Sequence, residues 1–505
     1  MRSLVPYLVL SSLAAADPAF DPQSAEAVIR INDARWVERE ATRMSAAMGR
    51  DPSLMRAAVA ATLYHARSLE GIDTARPALI AWRSGTAPLI AVIPLKDRRR
   101  FLDDFGVMPT GESPLVRTGD RDGTTVWTQN AASGLREYRL LVANETAFLG
   151  RSVEECRALA ANSPVGQVDN AVPITVTMTG SFLAQGPGLV DLPGMPWTMP
   201  RLSWLDLAPI AAAGRAAIDA GTTKLTWELR PFGQEGDLRV VGKLTTKPET
   251  VLAAFVSNQH DSASRLVEPL RTPDTALMVW GSLAWQGQPT AYGATASPAM
   301  RAALGPAWIP AVDEAWRSWW SLWERGSDIA WTLEAQSPQR YITTTVSEQP
   351  RSVEQAGTWN TVAGAVTGIP GAAEGRLFQR AGRLDEKPFE QTILAGDRHV
   401  IAVEAFGGAP ARSAAEQTAS RLAVAGKPAA ITAIVAGWCD FTRLARLSPH
   451  RDPDSTLAPV VVTFAVHAVA NDTLQIEIQA PLQGIAAVLA RSTAAIDHAP
   501  DRRSR

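Results

Sequence analysis

Cysteine is nearly absent from this chain. Its 505 residues include two, Cys156 and Cys439, so no disulfide framework can hold it together. Two buried thiols and one long-range bridge are the alternatives, and spacing alone does not choose between them. Histidine is scarce too. His65, His260, His399, His450, His467 and His498 never fall at the spacing of a metal site. The sequence has no HExxH, no GxSxG and no GxGxxG. Gly242-Lys243 is followed by Leu244, where a phosphate loop needs Ser or Thr. Asp120-Arg121-Asp122-Gly123 opens like a calcium loop, but the position that must carry Glu holds Ala131, and a polar turn is the plainer reading. The paired acids Asp103-Asp104 and Glu154-Glu155 sit on helices, where adjacent side chains point apart. No residue is therefore assigned to catalysis, to a cofactor or to a metal.

Neither sign of charge dominates. Lysine and arginine number 49 against 51 acids, so no bulk field draws the chain to nucleic acid. Long apolar runs are missing as well. Residues 460–469 are broken by Thr463 and His467 and read as a strand, so no transmembrane segment is expected.

What is present begins with a leader. Met1-Arg2 precedes an apolar stretch over residues 4–13, then Ala14-Ala15-Ala16 and the abrupt Asp17-Pro18. That is the layout of a signal peptide over residues 1–16. No cysteine lies at the cleavage point, so a lipoprotein anchor is excluded. The expected location is the periplasm or the exterior, with a mature chain starting at Asp17.

Behind the leader the chain reads as if written twice. Leu225, Trp227 and Leu229 alternate with polar residues. A turn follows at residues 233–236, then a return strand with Leu238, Val240 and Leu244, and Pro248 ahead of a helix. Ile329, Trp331 and Leu333 repeat the alternation, residues 341–346 return, and Pro350 precedes another helix. Looser copies lie at 79–105 and 460–489. Leading strands at 27–31, 172–178, 276–280 and 430–435 complete a β-α-β-β-α unit each time. Between units come inserts of three strands and a helix. The expected organisation is a first half over 17–258 (units 25–106 and 170–258, insert 107–169) and a second over 259–495 (units 270–370 and 428–495, insert 371–427). Residues 496–505 are expected to be a disordered tail. The fold class is α+β, a tandem duplication in antiparallel sheets with helices on one face. Its element order is that of a ferredoxin-like layer, with Trp227 and Trp331 at equivalent inward positions.

Ala75-Arg76-Pro77 before the first hairpin, and Ile93-Pro94-Leu95-Lys96-Asp97 leading into Phe101-Leu102, resemble large exported bacterial proteins of the DUF3352 type. The resemblance spans most of the mature chain. It implies a duplicated α+β envelope protein and brings no catalytic residue with it.

Tryptophan is the anomaly, at sixteen. Trp316, Trp319, Trp320 and Trp323 share one helical face. This face either covers a sheet, with Trp319 at its open edge, or forms an aromatic platform for a sugar or lipid. A second apolar stretch, residues 186–209, carries Trp197 and Trp204 among prolines that prevent regular structure. Trp197, Trp204 and Trp319 are the candidate contact residues. The functional expectation is a non-catalytic envelope binding or scaffold module whose partner is an unidentified protein. A periplasmic carrier of an apolar, lipid-like ligand is the alternative, and a hydrolase with a spatially assembled site is the third reading.

Overall fold

A computed structural model describes residues 25–83, 89–106, 115–131, 134–162, 172–180, 221–232, 237–283, 297–298, 300–302, 304–321, 327–348, 351–384, 386–424, 432–447 and 458–497. It is an α+β structure whose described strand registers are all antiparallel. Among the described residues no helix is long and apolar enough to cross a membrane. The described chain falls into two compact units. One runs to the end of the strand Ile174–Thr179 and takes in Thr222–Leu244; the other starts at Thr245.

The first unit begins with β1 (Ala27–Ile31), the bounds its apolar residues predict. Asp33 caps the following helix, Ala34–Ala47, by accepting the Trp36 N–H at 3.1 Å. Asp51 caps the next, Pro52–Tyr64, with the proline in the first turn where its missing N–H costs nothing. Next come β2 (Ala78–Trp82), β3 (Leu89–Pro94) and the helix Arg98–Asp104, capped by Asp97 as its sequence predicts. The insert is β4 (Val116–Arg121), β5 (Thr124–Ala131), β6 (Gly134–Ala143), β7 (Thr146–Gly150) and the helix Val153–Asn162. β8 (Ile174–Thr179), β9 (Thr222–Pro231) and β10 (Asp237–Thr246) follow. Side by side, the strands run β10-β9-β8-β1-β2-β3-β7-β6-β5-β4.

The second unit has β11 (Thr275–Leu283), the helix Pro310–Ser321, β12 (Ser327–Ala335), β13 (Tyr341–Glu348) and the helix Ser352–Thr367. Its insert is β14 (Ala372–Glu374), β15 (Leu377–Leu384), β16 (Lys387–Ala395), β17 (His399–Phe406) and the helix Ala411–Val424. It ends in β18 (Val435–Asp440), β19 (Val461–Ala470), β20 (Thr473–Pro481) and the helix Leu482–Asp497. Its strands run β20-β19-β18-β11-β12-β13-β17-β16-β15-β14. The order matches that of the first unit strand for strand.

Four expectations change. The inserts have four strands, not three. β4 is exposed at every position and β14 likewise, so neither shows the alternation that marks a half-buried strand. The pairing is not that of a ferredoxin-like layer, in which the third strand of the unit, not the second, lies beside the first; here β2 pairs directly with β1. β1 is followed by two helices rather than one. The chain therefore returns to the end where β1 finished, and β2 runs against it.

Helices also lie on both faces of the central strands. Ile80, Ala91 and Ile93 pack into a core with Phe101 and Tyr64. Their neighbours Leu79, Ala81, Ile90 and Val92 pack the other way, against Cys156 and Leu159 of the helix Val153–Asn162. The unbroken apolar runs Ala-Leu-Ile-Ala and Leu-Ile-Ala-Val-Ile demand two covers.

Lastly, Trp227 and Trp331 are not counterparts. The register rows are Trp227–Val176–Ile29–Ile80 and Phe464–Gly437–Val279–Trp331. By place in the ladder Trp227 answers to Phe464, and Trp331 to Ile80. Both tryptophans are half-buried. The hairpin alternation of each was legible, but its place in the ladder depends on partners distant in sequence.

Candidate functional site

Trp197 and Trp204 lie outside the described residues. Trp319 is on the helix Pro310–Ser321, but its side chain lies outside them too, as do those of Trp320 and Trp323. Of the tryptophan face, Trp316 is half-buried. Its ring meets Trp308 edge-on at 6.2 Å, and its Nε1 donates to Ser297 Oγ at 2.8 Å. Trp308 in turn donates to Asp313 at 3.0 Å, which also accepts from Arg301 at 3.1 Å. The polar edges of both rings are thus occupied within their own fold.

A different group stands out, on one face of the second sheet. The register sets Leu277, Leu333, Thr343, Glu404, Gln391 and Arg380 in one transverse row, on six adjacent strands. Directly opposed residues share a face, so four polar side chains are juxtaposed inside an apolar layer. On one side the neighbouring row brings Tyr341, Phe406 and Phe389, with Tyr341 stacked on Phe406 at 4.5 Å. On the other it brings Trp331, Thr345, Ala402 and Ile393.

Glu404 is half-buried. Thr343 Oγ1 donates to its Oε2 at 3.3 Å and Gln391 Nε2 to its Oε1 at 3.0 Å. Burial pushes the carboxyl up from the ordinary glutamate value, against the opposing pull of those two bonds and of Arg380. No cation lies within ion-pair distance among the described residues. Gln391 is 5% exposed, and its Oε1 has no hydrogen-bond partner among the described residues. Arg380, also 5% exposed, is engaged elsewhere. It donates to Ile369 O at 3.1 Å, to Asn360 O at 2.7 Å and to Asn360 Oδ1. It ties down the end of the helix Ser352–Thr367, and its own burial lowers its pKa.

Sequence reasoning placed residues 399–404 in a strand but passed over the acid. The signal was a glutamate inside the otherwise apolar Val-Ile-Ala-Val-Glu-Ala-Phe, where every other residue is buried.

Two further groups are smaller. His467 Nδ1 lies 2.8 Å from Asp261 Oδ2, and Asp261 Oδ1 accepts the Ala468 N–H at 3.0 Å. That pins the loop before β11 to β19. An open polar depression of about 460 Å³ runs along the helix Ala411–Val424, past Ser413, Glu416, Gln417, Ser420 and Arg421. Among the described residues no three His, Cys, Asp or Glu converge as metal ligands would. Both cysteines are free.

No protein-family model matches this chain, and no match was found among curated proteins or solved structures. Its class therefore rests on its own geometry: an α+β protein with extensive antiparallel pairing.

Proposed function

We propose that the chain is an exported, non-catalytic binding or scaffold module of the cell envelope, built from two copies of one unit. The observation that carries the binding role is how the reactive side chains are spent. Cys156 donates to Arg139 O, Asp261 holds His467 and a backbone N–H, and Arg380 closes a helix end. Each is committed to its own fold, which favours a rigid body over a reaction centre. The matching pairing orders support the duplication. The leader at residues 1–16 and the resemblance to DUF3352-type proteins support export.

A carrier of an apolar ligand is the second reading, and one feature favours it. On β20, Leu474, Ile476 and Ile478 alternate with polar residues, and on the paired β19 Val462, Phe464 and Val466 share a face; all six remain half-buried. On β8 and β9, Val176, Met178, Trp227 and Leu229 do the same.

The two readings separate in native mass spectrometry of the exported protein. A scaffold appears at the polypeptide mass, with a defined protein partner after cross-linking in intact cells. One lipid per chain replaces the scaffold with the carrier. N-terminal sequencing of the same sample should begin at Asp17; a start at Met1 removes the export reading.

A further inference from the structure

We infer that Glu404, Gln391 and Thr343 form a binding site for a protonated primary amine on the face of the second sheet.

The charge is the first reason. A carboxyl within an apolar layer is costly unless paired, and Glu404 meets two neutral donors and no cation among the described residues. Arg380 is the nearest basic residue in the row, and its guanidinium is engaged by Ile369 and Asn360.

The second reason is an acceptor left over. Gln391 Oε1 is buried without a partner on the amide that holds Glu404. An unsatisfied buried acceptor costs about 1–3 kcal/mol in general, so its retention calls for a donor. Both carboxylate oxygens and this carbonyl make three acceptors on one row, and a primary ammonium offers three donors.

The third reason is the surroundings. Leu277, Trp331, Thr343 and Glu404 are four half-buried residues on one face. Apolar and aromatic walls suit the alkyl chain of an amine, and a ring face near the charge adds to the attraction.

The last reason comes from the strands that answer to these in the first unit. The first sheet is laid out in the same order. Where the second sheet has Gln391 and Arg380, matched registers place Tyr138 and Trp127 in the first. Both are buried in an apolar core with Leu140 and Leu149.

The test is thermal unfolding of the full chain at neutral pH with rising n-butylammonium chloride, against potassium chloride at equal ionic strength. The wild type should show a saturable rise in midpoint of roughly 2–4 °C over the potassium control. Glu404→Gln keeps the shape and removes the charge; it should fold, by circular dichroism, and lose the rise. Gln391→Leu should keep the rise but need about tenfold more amine. A wild-type response no larger than that to potassium overturns the site, and so does an undiminished response in Glu404→Gln. Should Glu404→Gln fail to fold, Thr343→Val and Gln391→Leu carry the test, and full amine responses in both overturn it.

Discussion

Arg83 and Glu155 meet in a two-point ion pair, with Nη1 2.5 Å from Oε1 and Nη2 3.1 Å from Oε2. The pair joins the end of β2 to the first turn of the helix Val153–Asn162. Glu155 Oε2 also accepts the Arg151 N–H at 2.7 Å. The side chains are 13% and 8% exposed, so water cannot replace a lost partner. Glu155→Ala should lower stability by about 3–5 kcal/mol, the cost of leaving one buried charge behind. Urea unfolding of the full chain measures it, and a loss under about 1 kcal/mol contradicts the buried geometry.

Trp227 lies over Gly242, and a Cβ on that glycine would come within 2.4 Å of the ring. Gly242→Val should cost about 1–3 kcal/mol through overpacking. Trp227→Ala, at a half-buried site, should cost less than about 3 kcal/mol. In the double variant the valine occupies space the ring has left, so the combined loss should fall short of the sum by at least about 0.5 kcal/mol. Additive losses would place the ring elsewhere.

Glu404 gives the chain a pH dependence of known sign. Burial raises its pKa above the ordinary value of 4.5, so the folded state holds the proton more tightly than the unfolded one. The associated stability is fully present below the ordinary value and is lost as pH rises through the raised one. Glu404→Gln removes the titration. Its urea midpoint relative to wild type should rise as pH climbs above the ordinary glutamate value. A constant difference over that climb would show that the acid titrates normally.

Both thiols should be silent in the native protein. Burial pushes Cys156 up to about 12, assisted by neighbouring Glu155. Burial and neighbouring Asp440 do the same for Cys439, also to about 12. Thiolate is the reactive form, and little exists at neutral pH. Ellman's reagent should titrate neither in the folded chain and both in denaturant without reductant. Failure to recover both in denaturant would mean that they are bridged.

Local pattern carried much of this fold. The alternation of Leu225, Trp227 and Leu229 set β9, the run of apolar residues set β1 to the residue, and Asp97 announced its helix. The turns at Asn144-Glu145 and Asn471-Asp472 were legible because so few residues join two strands there. Pro248 was a less exact marker; Thr250 makes the cap, accepting the Ala253 N–H at 3.1 Å. β18 starts at Val435, where residues 430–435 were expected. What stayed hidden was long-range. Nothing near Ile31 says that its neighbour is Ile174. Glu404 became notable only when the register set it opposite Gln391 and Thr343, since one acid in one strand shows nothing about its row.

That long-range pairing governs when each unit can form. β1 is synthesised first among the described strands, yet it lies between β2 and β8. Its second edge stays bare until the chain has grown past Ile174, and β11 waits in the same way for β18. Pairings so distant in sequence make for slow folding. The early strands, apolar and unpaired, are exposed to aggregation while they wait. The nascent chain would therefore remain unfolded for long enough to be threaded through a narrow pore, or to need a chaperone.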